Sequence, residues 1–161
     1  EIKCTDEQFP RLELEAAGYR CEVFGQKTYN GVAMLSKEPV TDVVRGFGDG
    51  VEDAQSRVIG GTYRGVRVLG LYAPNGQEVD SPAYRYKLDW YGRLTRHLSA
   101  HHAKDTPLLV CGDFNVIPED IDVWDPGLFQ NQTLFTAVER QARLPVPALG
   151  FADGNFLRPL A

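Results

Sequence analysis

The sequence predicts a mixed α/β layered fold. Three observations carry that prediction. Short runs with strand character recur through the first 73 residues and again at 107–111. One long stretch, 82–102, repeats its apolar residues at spacings of three and four. The elements then run helix, several strands, helix, strand, which is not a regular alternation of strand and helix. A chain of 161 residues has the length of one domain and can bury a core.

The elements follow in order. Residues 6–17 place Phe9, Leu12 and Ala16 at helical spacing, with Gly18 as a C-cap candidate. Residues 19–24 alternate and predict a strand. Residues 31–36 are an apolar run bounded by Asn30 and Lys37-Glu38-Pro39, a second strand. The stretch 41–56 holds Gly46, Gly48 and Gly50 and is expected to be a loop. Residues 57–63 and 66–73 predict a hairpin turning at Arg64–Gly65. Pro74-Asn75-Gly76 breaks the second strand. Tyr84, Leu88, Tyr91, Leu94 and Leu98 predict an amphipathic helix over 82–102, with Pro82 near its start where proline is tolerated. Residues 107–111 predict a fully buried strand and 133–143 a short helix. The tail 145–161 has three prolines and two glycines, and its apolar residues have no evident partner.

Composition excludes some classes of protein. Hydrophobic residues make up 43% and charged residues 24%, ordinary for a soluble globular chain. No apolar run approaches the roughly 20 residues that span a bilayer, and no membrane partner is expected. The N-terminal residues are polar, without signal-peptide character. Cys4, Cys21 and Cys111 are odd in number and lack metal-ligand spacing, so simple buried or half-buried thiols and a reducing cytoplasm are expected. The formal net charge of -5 argues against nucleic-acid binding by a basic stripe. It is compatible with an enzyme that meets phosphates through divalent cations held by acidic groups.

Three short segments can carry chemistry. After the run Leu108-Leu109-Val110-Cys111 come Gly112, Asp113, Phe114 and Asn115. Residues i and i+2 of a strand share a face, so Asp113 and Asn115 are expected to project together. Strand ends of layered α/β folds are common ligand sites, and oxygen donors of this type suit magnesium or manganese. An Asx turn closing the strand explains the same residues. Tyr72-Ala73-Pro74-Asn75-Gly76 also ends a strand. Its tyrosine can bond a phosphate oxygen or an attacking water, or simply cover the core. Glu1-Ile2-Lys3, taken alone, would be solvated.

In order and spacing these segments resemble the endonuclease/exonuclease/phosphatase superfamily, and within it the exonuclease III type of abasic-site endonuclease. That family carries a Q-E-T-K-like segment, a K-x-Y-x-G-V-A-[ILM]-L-[ST]-[KR] strand, a Y-x-P-N/Q-G segment and G-D-[FM]-N-[IV]-x-P. This chain has EIK at 1–3, KTYNGVAMLSKEP at 27–39, YAPNG at 72–76 and GDFNVIPEDIDVWDP at 112–126. The resemblance covers residues 1–126 and, more loosely, 133–158.

The resemblance implies a four-layer α/β sandwich with two central mixed sheets, present here as a single partial domain, 1–161, truncated at both ends. A first strand with a metal-site asparagine would precede Glu1, and a Ser-Asp-His segment would follow residue 161. The implied activity is metal-dependent hydrolysis of DNA phosphodiester bonds at abasic sites and 3′ ends. The implied cofactor is Mg2+, with Mn2+ as a substitute. The partner is duplex DNA with an abasic site or recessed 3′ end, bound by a monomer when the chain is complete. Tyr72, Asp113 and Asn115 match catalytic positions. Glu1, Asp113 and Asn115 match the metal site. Tyr72 and Asn115 match substrate-binding positions, with a minor phosphate-side role for Lys3. His97, His101 and His102 do not match the family's histidine and are expected at the surface or at a helix cap. Glu119, Asp120, Asp122 and Asp125 are expected to be a solvated loop. Two alternatives stand: a phosphatase or lipid phosphodiesterase on the same scaffold, and a truncated non-catalytic relative that binds nucleic acid. The 161 residues alone are expected to be poorly active.

Overall fold

The computed structural model describes residues 1–101 and 107–143. Their folding divides the chain into two compact units, one of Glu1–Pro74 with His102–Asn115 and one of Asn75–His101 with Val116–Ala161. The tail 145–161 lies outside the described residues.

The first unit begins with helix α1, Arg11–Ala16. It is shorter than the sequence pattern predicts. Pro10 occupies its N-cap, and a proline ring cannot continue a helix through an interior position. Residues 5–9 form a turn instead, with Gln8 N–H donating to Thr5 O at 3.1 Å. The helix closes where expected. Gly18 N–H donates to Glu15 O and Tyr19 N–H to Leu14 O, the paired bonds of a Schellman cap.

Strands β1, Arg20–Phe24, and β2, Val32–Ser36, then pair antiparallel, from Arg20 opposite Ser36 to Phe24 opposite Val32. Alternation along β1 buries Cys21 and Val23. A second sheet runs in the order β3-β4-β5-β6: Thr41–Arg45, Val58–Tyr63, Val66–Tyr72 and Leu108–Asp113. The β4–β5 hairpin turns at Arg64–Gly65 as predicted. Strand β3 corrects the expected loop at 41–56. Its Thr41, Val43 and Val44 are β-branched, and Thr41, Val44 and Arg45 pair with β4, with a register shift between Thr41 and Val44. The glycines that suggested a loop begin only after it.

Strand β6 runs parallel to β5, and the segment between them is long enough for the crossover that parallel pairing requires. It corrects a second expectation. The sequence reads as fully buried, yet β6 lies at the sheet edge and Leu109 is 51% exposed. An apolar run is buried only where neighbours cover it. Among the described residues β6 has one strand neighbour. Of the two sheets among the described residues, only this one is mixed. Val58, Ile59, Leu69 and Leu71 of its central strands are buried, with Phe47 and Ala73.

The second unit contains helix α2, Pro82–His101, the helices α3, Pro126–Phe129, and α4, Ala137–Arg143, and a short 3-10 turn at Asp120–Asp122. Helix α2 buries Tyr84, Lys87, Trp90, Tyr91, Leu94 and Leu98. Lys87, not Leu88, completes the buried stripe. Helix α4 is shorter than the predicted 133–143, because Thr136 caps it. Thr136 Oγ1 accepts from Glu139 N–H while the Glu139 carboxylate accepts from Thr136 N–H, a capping box.

Candidate active site

The C-terminal ends of β5 and β6 hold three of the candidates. Tyr72 is the register partner of Asp113, the last pair of the parallel ladder. Ala73 N–H donates to Asp113 O at 2.8 Å and extends the ladder one step. The strands come this close because residue 112 is glycine. A Cβ there would sit 1.9 Å from Leu71 O, and its φ is +135°. No L side chain fits that approach, and the obstructing atom is backbone.

Asn115 reaches the same place by a route the sequence pattern did not predict. The strand ends at Asp113, and Asn115 has φ 47°, in the left-handed region that asparagine tolerates. The i, i+2 rule for strand faces therefore does not apply. Two hydrogen bonds bring the side chain back instead. Asn115 N–H donates to Asp113 Oδ1 at 2.8 Å, the Asx turn. Asn115 Nδ2 donates to Ala73 O at 2.8 Å. Turn formation and the clustering of functional groups are here one arrangement. The Asn115 amide carries two hydrogens, so at most one is available to a phosphate.

The residue that braces Tyr72 was missed in the sequence. Arg57 is 7% exposed, and its guanidinium donates to Tyr72 O at 3.0 Å, Asn30 Oδ1 at 2.6 Å and Gln55 Oε1 at 2.6 Å. Tyr72 N–H returns a bond to Arg57 O, and the guanidinium carbon lies 5.0 Å from the centre of the Tyr72 ring. A cation over the face of an aromatic ring is attracted by the ring quadrupole. The only signal in the sequence is an arginine opening a run of strand character, 57–63.

Glu1 is exposed, and its segment is tied to the same assembly indirectly. Ile2 and Gly31 exchange backbone bonds of 2.7 and 3.1 Å. Asn30, next along the chain from Gly31, takes the Arg57 bond just described. Lys3 Nζ lies 5.8 Å from the centre of the Tyr29 ring. Lys37 donates to Ala17 O and sits over the Tyr19 ring, a structural role at the end of α1. Among the described residues no three His, Cys, Asp or Glu side chains converge as a metal cage. Magnesium does not need one. It keeps several waters and takes one or two carboxylates plus substrate phosphates. The oxygen donors of Glu1, Asp113 and Asn115 fit that chemistry.

The remaining candidates have other partners. Asp120 pairs with Arg140 at 2.8 Å, Glu119 and Asp122 cap the 3-10 turn reciprocally, and Asp125 caps α3 by accepting from Gly127 N–H. His97 and His101 stack at 4.6 Å on the last turns of α2, and His102 lies outside the described residues. All three cysteines are free thiols, and Cys111 is exposed on the edge strand rather than buried. No described helix is long and apolar enough to cross a membrane.

A sequence profile of the Endonuclease/Exonuclease/phosphatase family matches residues 1–159. The chain belongs to that family. Among curated relatives, exodeoxyribonuclease III of Haemophilus influenzae is 37% identical over 131 residues, covering 76% of this chain and 48% of the relative. The DNA repair nuclease APEX1 of Danio rerio is 30% identical over 157 residues, covering 95% of this chain and 50% of the relative. An AP endonuclease from Archaeoglobus fulgidus superposes with a TM-score of 0.90 at 35% identity, over 94% of this chain and 58% of the other. A 3′ phosphatase from Neisseria bound to a product DNA hairpin gives a TM-score of 0.85 at 37% identity, over 91% and 57%. The chain thus spans about half the length of the curated relatives it matches.

Proposed function

We propose that the protein carrying this chain is a metal-dependent DNA repair nuclease. It hydrolyses the phosphodiester bond on the 5′ side of abasic sites and removes nucleotides from 3′ ends. The observation that carries this reading is the pairing of Tyr72 with Asp113, with Asn115 fastened to Ala73 beside them, in a chain of this family. The names of the relatives support DNA as the substrate.

Asp113 takes the proton of the attacking water as its oxygen bonds to phosphorus. Asn115 and Tyr72 donate hydrogen bonds to the phosphate as negative charge builds on it. Glu1, with Asp113 and Asn115, would hold magnesium or manganese, which supplies positive charge at the phosphate and stabilises the leaving oxygen. Lys3 adds charge on the phosphate side. The protein acts as a cytoplasmic monomer on duplex DNA with an abasic site or a recessed 3′ end. A second reading, phosphatase action at 3′ ends on the same site, is favoured by the Neisseria relative bound to product DNA.

The test uses the complete gene product and a duplex with one abasic site. Incision is expected with magnesium, lost with chelator and restored by added metal, and strongly reduced in D113N. A folded full-length protein that leaves the duplex intact with metal, or that cuts equally well with chelator, refutes the reading.

A further inference from the structure

Asp6 takes no part in the proposed chemistry, yet it closes the segment that Glu1 opens. Residues 1–6 cross the two feet of the loop 25–31, which joins β1 to β2. At one foot, Ile2 and Gly31 exchange their backbone bonds. At the other, the Asp6 carboxylate accepts from Gly25 N–H at 2.6 Å. Both feet are glycine because the crossing segment lies directly against them. A Cβ at residue 31 would lie 2.5 Å from Ile2 Cγ1, and one at residue 25 would lie 2.4 Å from Cys4 O.

The feet are held in turn by two consecutive residues. Ser56 and Arg57 are buried and lead into β4. Ser56 Oγ donates to Gly25 O at 3.1 Å, and Ser56 N–H donates to Gln26 Oε1 at 2.6 Å. Gly25 is therefore gripped by both its backbone groups, the N–H by Asp6 and the carbonyl by Ser56. Arg57 holds the other foot through Asn30, next to Gly31, and also holds Tyr72 O. The stretch 56–57 is thus a common reference for the loop and for the strand end that carries Tyr72. The Ile2 bridge by itself is a pivot, since bonds at one residue leave the segment free to swing about them. A second attachment removes that freedom, and Asp6 supplies it.

We propose that Asp6 is a positioning residue for Glu1. By fastening the far end of segment 1–6 to Gly25, it fixes where the Glu1 carboxylate stands relative to the strand ends of Tyr72 and Asp113. It touches neither metal nor DNA. This rests on the reading of Glu1 as a metal ligand given above.

The experiment measures Mn2+ binding, from the electron paramagnetic resonance signal of the free ion, and melting temperature. It uses the complete gene product and its D6A, D6S, D6N, E1Q and I59V variants. D6A removes the acceptor and D6S withdraws it. Each is expected to weaken Mn2+ binding about tenfold, as loss of a group that orients a metal ligand does. D6N keeps an oxygen that accepts from Gly25 N–H and is expected to bind within about twofold of wild type. I59V trims a buried residue of β4 and is expected to lower the melting temperature while leaving Mn2+ binding unchanged, which separates position from stability. Wild-type binding in folded D6A or D6S overturns the proposal. So does equal weakening in D6A and D6N, which makes Asp6 a source of charge rather than of position. Failure of both D6A and D6S to fold overturns it as well, since Asp6 then serves the fold. Unchanged binding in E1Q refutes Glu1 as a metal ligand and the proposal with it. Weakened binding in E1Q beside wild-type binding in D6A refutes the Asp6 proposal alone.

Discussion

Tyr72 and Asp113 face one another as the final register pair of β5 and β6. Two residues from distant parts of the chain are thus set opposite one another by backbone bonds rather than by their own side-chain chemistry. Arg57 then locks the tyrosine from behind. The expectations below follow from that arrangement.

Removing the base should separate chemistry from folding. D113N is expected to lower kcat about 10²- to 10⁴-fold with little change in KM. The new amide oxygen can still accept from Asn115 N–H, so the melting temperature should stay near wild type. A kcat within threefold of wild type would reject Asp113 as the base.

Arg57→Lys keeps the charge but loses the planar fork that reaches Tyr72 O, Asn30 and Gln55 together. It is expected to cost about 1–3 kcal/mol in urea denaturation and to lower kcat about tenfold. In a double-mutant cycle, R57K in a Y72F background should add little further loss in kcat. Fully additive losses would show that Arg57 acts independently of Tyr72.

Gly112→Ala drives a methyl group into Leu71 O, at a positive φ. About 2–4 kcal/mol of destabilisation is expected, because the obstruction is backbone and cannot rotate away. Equilibrium unfolding with unchanged stability would show that β6 can move off β5 at little cost.

Tyr84 gives a pH signature. Burial holds its pKa above the ordinary 10.0, although the Thr136 bond pulls the other way. The folded pKa exceeds the unfolded one, so folding favours the protonated phenol. Its contribution is complete below pH 10 and is lost as pH rises through the folded value. Phenolate absorbance should include a late-titrating component, and Y84F should diminish it. Y84F should also cost about 1 kcal/mol for the lost Thr136 bond. A titration unchanged by Y84F would contradict the assignment.

The α2 helix shows how far pattern reading reaches. The spacing of Tyr84, Tyr91, Leu94 and Leu98 located the helix and its buried face from the sequence alone. Lys87 stands on that stripe at the same spacing, but lysine is normally solvated, so pattern reading passed over it for Leu88. What makes its burial possible is Glu139, a residue far along the chain on another helix. No local pattern encodes that partnership.

The sequence by itself determined the family motifs, the hairpin, the long helix and the residue types able to do phosphate chemistry. It did so because periodicity, turn residues and short motifs are local properties of a chain. Tertiary structure alone decided that β6 has one strand neighbour among the described residues, that Asn115 returns through a left-handed turn to Ala73, and that Arg57 braces Tyr72. Each depends on which distant backbone groups meet across the sheet. Burial and hydrogen bonding are properties of those meetings, not of the residues taken one at a time.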